Sequence, residues 1–497
     1  MANSIASSSP SPIGRLPTEL LLEIFATCWG PFAEMLLDAH PTLSFREELE
    51  HLAHLPLLNL AQTCSEWHGI IMSAPLLWSD IRLVNAIWSI PAELPKVAHL
   101  LELALARSNG SPLSVVLSDL EPQPSHFPIL QLLTASSEQW KALDVCYDNA
   151  LSDAFKSVRG RLPQLETLLI EYWGGESDLS ALDCFSSVPE LTTIEFYGST
   201  RGLRTFPLAQ LHTVTYLTVS MSQARDIGAV MSPLRNDACF SLELFLSQED
   251  VAQISNLWLS PSRSNIGLLH IDLDLDKDIH PTVFDFERTV GAMFDSMTLP
   301  LLETLEVYVH FKDKILAIGE KLHWPCEQFL ALSQRSSFDA HLCSLDIADV
   351  VITEAELIEC LKALPSLEHL SIADHRPEGV EVGGIGYNHL ITDSLLAHLV
   401  ILNGPDYFTH APLVPWLRSF VARTMLQFTD LLYFAFVCTR VSDDLLEGEY
   451  FESVLLSLDD PPRELDRGVN AARVEELCAA GKLRLEVGLA EVDADDS

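Results

Sequence analysis

Four stretches share one frame: LPQLETLLI (Leu162–Ile170), VPELTTIEF (Val188–Phe196), LPLLETLEV (Leu299–Val307) and LPSLEHLSI (Leu364–Ile372). Each sets an apolar residue, two variable ones, an apolar residue, one variable and another apolar, as in Leu165-Leu168-Ile170, Leu191-Ile194-Phe196, Leu302-Leu305-Val307 and Leu367-Leu370-Ile372. The closing alternation has the period of a half-buried β-strand. The proline ahead of each strand cannot continue a helix and biases the residue before it towards extended backbone. Helix, turn and short strand therefore follow one another.

Outward from these four, the frame recurs at Trp140-Leu143-Val145, Val214-Leu217-Val219, Leu268-Ile271-Leu273 and Leu342-Leu345-Ile347. It is compressed at Leu242-Leu244-Leu246 and weak at Leu417-Phe420-Ala422. Early steps are 23 to 27 residues long; later ones are 34, 40, 25 and 50. A period of about 20–29 residues with such a strand is the leucine-rich-repeat signature, in which no unit buries its own apolar face and neighbours must stack. Segments between strands carry helical spacing, as in Glu354-Leu357-Ile358-Leu361. The long gaps at 273–302, 307–342 and 372–417 are read as insertions, the last holding the glycine-rich GVEVGGIGYN (379–388). A plain α/β fold with parallel strands separated by helices is the alternative.

A second signal lies at the amino end, in LPTELLLEIF (Leu16–Phe25) and LLNLAQTCSEWHGIIMSAPLLWSDIRL (Leu57–Leu83). Pro17 suits a first helical position. Leu21, Ile24, Phe25 and Cys28 then fall on one helical face, and Leu20 and Leu22 widen the apolar arc. Leu57, Leu60, Ala61 and Cys64 repeat the spacing, Trp67 follows, and Pro75 and Trp78 mark a short third segment. So short a module holds more apolar side chains than it can bury alone, which leaves surface for a partner.

Leu16, Pro17, Glu19, Leu20, Ile24 and Phe25, with Leu60, Cys64, Trp67, Pro75, Leu77 and Trp78, resemble an F-box, and the insertion near 30–56 is similar to that of F-box-like proteins of fungi. Thr63, Ser65 and Glu66 stand where the family usually has aliphatic and basic residues. The resemblance implies docking on the Skp-type adaptor of an SCF ubiquitin ligase, and so on its cullin, through Leu16, Pro17, Leu20, Ile24, Leu60, Cys64 and Trp67. The later array resembles the irregular leucine-rich repeats behind many F-boxes, without the usual Asn after the strand. An ordinary helical cap is the alternative reading of residues 13–83.

The expected fold class is thus α/β: a small all-α F-box-like module, then an irregular leucine-rich-repeat solenoid of parallel strands alternating with helices. The expected organisation is a tail at 1–12, the module at 13–83, a linker and solenoid cap at 84–138, the array at 139–424, a helical cap at 425–489 and an acidic tail at 490–497. Within the cap, Leu426–Leu458 reads as helical, Val474–Ala479 as a final helix and Leu483–Val487 as an edge strand or cap.

Composition narrows function. Hydrophobic residues make up 48% of 497, too apolar for a largely disordered chain. Neither a membrane-spanning run nor a secretory leader is read, so a soluble protein of cytoplasm or nucleus is expected. Ten cysteines show no CxxC spacing and read as reduced thiols. Seventy acidic against 30 basic residues give a net charge of −40, which repels nucleic-acid phosphates and anionic membranes and attracts basic partners.

On the repeat reading the exposed strand positions are acidic and aromatic: Asp144, Glu171, Glu195, Tyr197, Tyr216, Glu243, Phe245, Asp272, Asp274, Glu306, Tyr308 and Asp346. Ten strands would spread them over about 45 Å of concave surface, suited to a basic protein target; a merely solvated strand face is the plainer reading. HIDLDLDKD (His270–Asp278) is not a calcium loop, since Lys277 and Val283 occupy the Gly and Glu places. His51 and His54 lack further ligands, Gly383-Gly384-Ile385-Gly386 does not fit a phosphate loop, and no GxSxG or HExxH occurs. No catalytic, metal or cofactor site is expected. The leading expectation is a non-enzymatic ligase adaptor; the rivals are a leucine-rich-repeat scaffold without ligase association and, third, an enzyme.

Overall fold

A computed structural model describes residues 13, 16–37, 56–83, 94–117, 126–147, 149–172, 181–198, 211, 214–221, 227–246, 261–275, 285–311, 322–348, 350–374, 389–401, 413–441, 450–458, 464–466 and 468–489. The two tails, most of the 30–56 insertion with His51 and His54, and the glycine-rich stretch lie outside the described residues. The chain divides into two compact units, Met1–Leu191 with Thr205–Gln210, and Thr192–Arg204 with Leu211–Ser497.

The first unit opens with α1 (Thr18–Leu37), α2 (Pro56–Ala61), α3 (Ser65–Ser73) and a 3-10 turn at Pro75–Trp78. Strands β1 (Asp80–Leu83), β2 (Leu113–Leu117), β3 (Trp140–Tyr147) and β4 (Thr167–Tyr172) then alternate with helices Leu94–Ser108, Phe127–Ala135 and Asn149–Phe155. The strands pair in parallel with Ile81, Val115, Leu143 and Leu168 in one register row and Leu83, Leu117, Val145 and Ile170 in another. All eight side chains are buried. The ladder therefore begins at Asp80, and the stretch 84–138 expected as linker and cap carries a strand of its own. Three consecutive buried residues, Val115-Val116-Leu117, conceal the alternation there.

The second unit continues the theme with β5 (Thr193–Gly198), β6 (Tyr216–Met221), β7 (Cys239–Leu246), β9 (Leu268–Leu275), β11 (Thr304–Phe311), β12 (Ser344–Ile347), β13 (His369–Ala373), β14 (Ser419–Thr424), β15 (Phe451–Ser457) and β16 (Leu483–Leu489), hydrogen-bonded in that order. The short strands β8 (Ser262–Arg263) and β10 (Met297–Thr298) pair separately. All of these pairings are parallel. This is a mixed α/β chain with a helical amino-terminal region and a parallel, solenoid-like repeat. In VPEL, LPLL and LPSL the fourth residue's N–H donates to the first residue's carbonyl at 3.3, 3.2 and 3.1 Å, the turn in which proline is favoured second.

Two frames differ from the sequence reading. Leu217 pairs with Phe240 rather than Leu244, and Leu305 with Leu269 rather than Ile271. The strands CFSLELFL and LLHIDLDL are apolar at nearly every second place, so several frames two residues apart satisfy the same alternation and only the neighbouring strand decides. The described part of 426–458, expected to be helical, holds one helix (Asp430–Arg440) and then β15, whose residues alternate buried and half-buried. Helix Ala471–Ala479 and β16 follow, so the ladder continues well past Thr424.

One buried carboxylate fastens three segments of the second unit. Asp374, just past β13, is 3% exposed. Its Oδ1 accepts the amides of Leu390 and Ile391 at 2.6 and 3.0 Å; its Oδ2 accepts the Thr424 hydroxyl and the Met425 amide at 2.8 and 2.9 Å. Asp374→Ala would leave those donors without their acceptor, and unsatisfied buried donors cost about 1–3 kcal/mol each. The expected loss is roughly 3–5 kcal/mol. Amide exchange at Leu390 and Met425 should accelerate in the variant; unchanged exchange would contradict this role.

Candidate functional site

The amino-terminal helices close on a small core of Leu21, Phe25, Ala61, Ile71 and Leu77, with Leu16, Leu60, Trp67 and Trp78 packed against it from the side. Trp67 meets Phe25 edge-on at 5.0 Å between ring centres. The Trp78 indole N–H donates to the Ile71 carbonyl at 2.8 Å. Cys64 caps α3, its Sγ accepting the Trp67 amide at 3.4 Å. A backbone bond from Ser114 to Ser79, 2.9 Å, and one from the Arg107 guanidinium to the Met72 carbonyl, 3.1 Å, join the module to the first strands.

The residues expected to dock therefore separate into two groups. Leu16, Leu60 and Trp67 are half-buried and hold the core, whereas Pro17, Leu20, Ile24 and Cys64 are exposed. Pro17, Leu20 and Ile24 recur at helical spacing along the start of α1, and Leu20 and Ile24 keep 44% and 39% of their surface. Leu76, 73% exposed, adds a further apolar side chain that the sequence reading did not select. In the one-turn segment Pro75–Trp78, Leu77 turns into the core and its neighbour Leu76 turns out.

A second candidate surface is the less buried face of the ladder. Across the second unit, register places Glu195, Thr218, Ser241, His270, Glu306, Asp346 and Ser371 in one row. Tyr197, Ser220, Glu243, Asp272 and Tyr308 form the adjacent row. Glu195, Tyr197, Glu243, Asp272, Glu306, Tyr308 and Asp346 are half-buried; Tyr216 is 42% exposed. The side chains of Phe245 and Asp274 lie outside the described residues. Asp144 and Glu171 belong to the first unit, where Glu171 accepts a bond from Cys146 Sγ at 2.9 Å.

His270 and Arg423, absent from the sequence list, complete this face. His270 Nδ1 lies 2.9 Å from Glu306 Oε2, and its ring is tilted against Tyr308 at 5.2 Å. The Tyr308 hydroxyl donates to Asp346 Oδ2 at 2.7 Å. The bond to Glu306 raises the His270 pKa against the opposing effect of burial, with Asp272 and Glu243 adding to the rise. Burial also pushes the Tyr308 and Asp346 groups up, while the charge of Arg423 opposes both shifts. Such a surface can accept charge-assisted hydrogen bonds and offer aromatic faces to cations. Among the described residues, no group of three or more His, Cys, Asp or Glu is placed to hold a metal ion.

Residues 13–84 match the F-box-like family model. The amino-terminal module is an F-box-like domain. Its boundaries enclose α1, α2, α3, the 3-10 turn and β1, so the F-box-like domain ends on the first strand of the ladder. No curated protein matches the chain. Among the described residues, no helix is long and apolar enough to cross a membrane.

Because the folded value of His270 is raised above the unfolded one, the stability its pairing contributes is complete below about pH 6.5 and is lost as pH rises through the folded value. Histidine-selective NMR should find His270 titrating above 6.5 and should find Glu306→Gln moving it down. An identical titration in both proteins would contradict the pairing.

Proposed function

We propose that this chain is a non-enzymatic substrate adaptor of an SCF-type ubiquitin ligase, acting in cytoplasm or nucleus. The F-box-like domain docks on a Skp-type adaptor and through it on the cullin. The repeat, read as an irregular leucine-rich array, holds a target protein. The observation that carries the reading is the exposed apolar ridge of Pro17, Leu20 and Ile24 on a domain whose own core is already closed. Covering Leu20 and Ile24 gains on the order of 1 kcal/mol each, since roughly two-fifths of each side chain is still open. A bound partner gains this; the isolated domain does not.

The target surface on this reading is the acidic and aromatic ladder face, and its partner is basic. A field of −40 speeds the approach of cations, and the row of carboxylates with Tyr197 and Tyr308 supplies charge-assisted and cation–π contacts. Tethering ligase and target to one chain raises their effective concentration, so this chain needs no reacting group of its own.

Leu20→Asp with Ile24→Asp should weaken binding to purified Skp-type adaptor at least about 100-fold in calorimetry, because two carboxylates would be buried in an apolar interface. Circular dichroism and melting temperature should stay unchanged, since neither side chain belongs to the core. Leu16→Ala is a poorer probe, as Leu16 packs against that core. Unaltered affinity in the double variant would remove the ligase reading and leave a repeat scaffold. Separately, an arginine-rich peptide should bind the intact chain with strong salt dependence and lose that binding in Glu195→Lys with Glu243→Lys, while adaptor affinity is retained. Equal binding to both chains would overturn the basic-target assignment.

A further inference from the structure

A pair of thiols in the second unit stands apart from both surfaces. Cys326 is the first residue of helix Cys326–Ser336, directly after Pro325. Cys360 lies late in the neighbouring helix Glu354–Lys362, whose start is fixed by a reciprocal cap: the Thr353 hydroxyl accepts the Glu356 amide and the Glu356 carboxylate accepts the Thr353 amide. The two sulfurs are 3.8 Å apart although the residues are 34 positions apart in sequence. Cys360 is buried and Cys326 half-buried, so one thiol is open to a small reagent and the other waits behind it.

The geometry points to a dithiol–disulfide switch at Cys326 and Cys360, written by a peroxide and erased by a dithiol reductant. A disulfide needs an S–S separation of about 2 Å, so each sulfur must travel about 1 Å, a distance that side-chain rotation supplies without moving either helix. The chemistry divides between the two residues. Cys326 sits at the start of a helix, where a thiolate is favoured. The hydrogen bond shared with Cys360 lowers its pKa further, against burial and the carboxylates of Glu356, Glu359 and Glu327; the same bond and burial push Cys360 up. Cys326 is therefore the attacking sulfur and Cys360 the resolving one.

Each step balances. The Cys326 thiolate attacks one peroxide oxygen, the O–O bond breaks, and a sulfenic acid forms as the departing hydroxide takes up a proton and leaves as water. The Cys360 sulfur then attacks the Cys326 sulfur, the S–O bond breaks, and a second water carries off the oxygen and the Cys360 proton. Two thiols and one hydrogen peroxide become one disulfide and two waters, each sulfur having lost one electron. The product staples helix Cys326–Ser336 to helix Glu354–Lys362, which precede and follow β12, the strand that carries Asp346, in the chain. Cross-linking would remove conformational freedom from the unfolded chain and stabilise these two repeats.

The test is hydrogen peroxide treatment of the full chain, alkylation of remaining thiols and non-reducing tryptic mass spectrometry. The expected product joins Leu322–Arg335 to Ser336–Lys362 with the loss of two hydrogens, and tandem spectra of the wild type locate the bond at Cys360. Since the second peptide also holds Cys343, the bond should persist in Cys343→Ser and vanish in Cys360→Ser. The oxidised chain should melt several degrees higher than the reduced one and return after dithiothreitol. The proposal is overturned if Cys326 proceeds to sulfinic acid without cross-linking, if the bond forms at Cys343, or if exposed Cys64 oxidises while Cys326 and Cys360 remain open to alkylation.

Discussion

A strand of five or six residues with aliphatic side chains on one face cannot bury them by itself, and everything else in this chain follows from how that deficit is met. Leu143 and Val145 are covered because Val115 and Leu117 lie on one side and Leu168 and Ile170 on the other. Leu305 and Val307 are covered in the same way by Leu269, Ile271, Leu345 and Ile347. Each fully buried aliphatic side chain is worth about 1.5–3 kcal/mol, and several per strand offset the cost of ordering the turn and helix between. Parallel pairing is the form this takes, since a parallel crossover needs a dozen or more residues, usually with a helix that covers the buried face.

The F-box-like domain meets the same deficit differently. Five buried side chains and the Phe25–Trp67 contact close a core, yet Pro17, just ahead of α1, and Leu20 and Ile24 on its outer face stay in solvent. Scattered surface leucines are ordinary, but apolar residues repeated at helical spacing are the kind of surface that another subunit covers. The ladder's open face has the opposite character. There, carboxylates held close together by register are paired from within, Glu306 with the His270 ring and Asp346 with the Tyr308 hydroxyl, and Arg423 brings a positive charge to the same face.

Much of this was legible in the residues, for reasons that can be named. The LPxL and VPxL turns were readable because proline fixes both the turn and the entry into the strand. The F-box-like pattern was readable because Phe25, Cys64 and Trp67 perform separate jobs, in core, cap and ring contact, that few other residues could exchange. The frames of β7 and β9 were not, since alternation at every second place fits more than one pairing. Strand β2 escaped because Val115-Val116-Leu117 is a continuous apolar run, β1 because four residues are too few to display a period, and β15 because two of its inward places are the serines Ser453 and Ser457. His270 and Arg423 escaped because their meaning comes from neighbours 36 or more positions away in sequence, Glu306 for the first and Tyr308 and Asp346 for the second. The inward and outward halves of the docking set likewise depend on where α2 and α3 fold back, which spacing along α1 does not encode.

The central claim is that the amino-terminal domain folds with an apolar ridge reserved for another subunit. Hydrogen–deuterium exchange of the full chain with and without purified Skp-type adaptor addresses it most directly. The account predicts slowed exchange over residues 16–27 and 60–78 on adding the adaptor, with the strands of the second unit unchanged. Exchange in the amino-terminal helices that does not respond to saturating adaptor, or protection that appears only on the ladder, would contradict it.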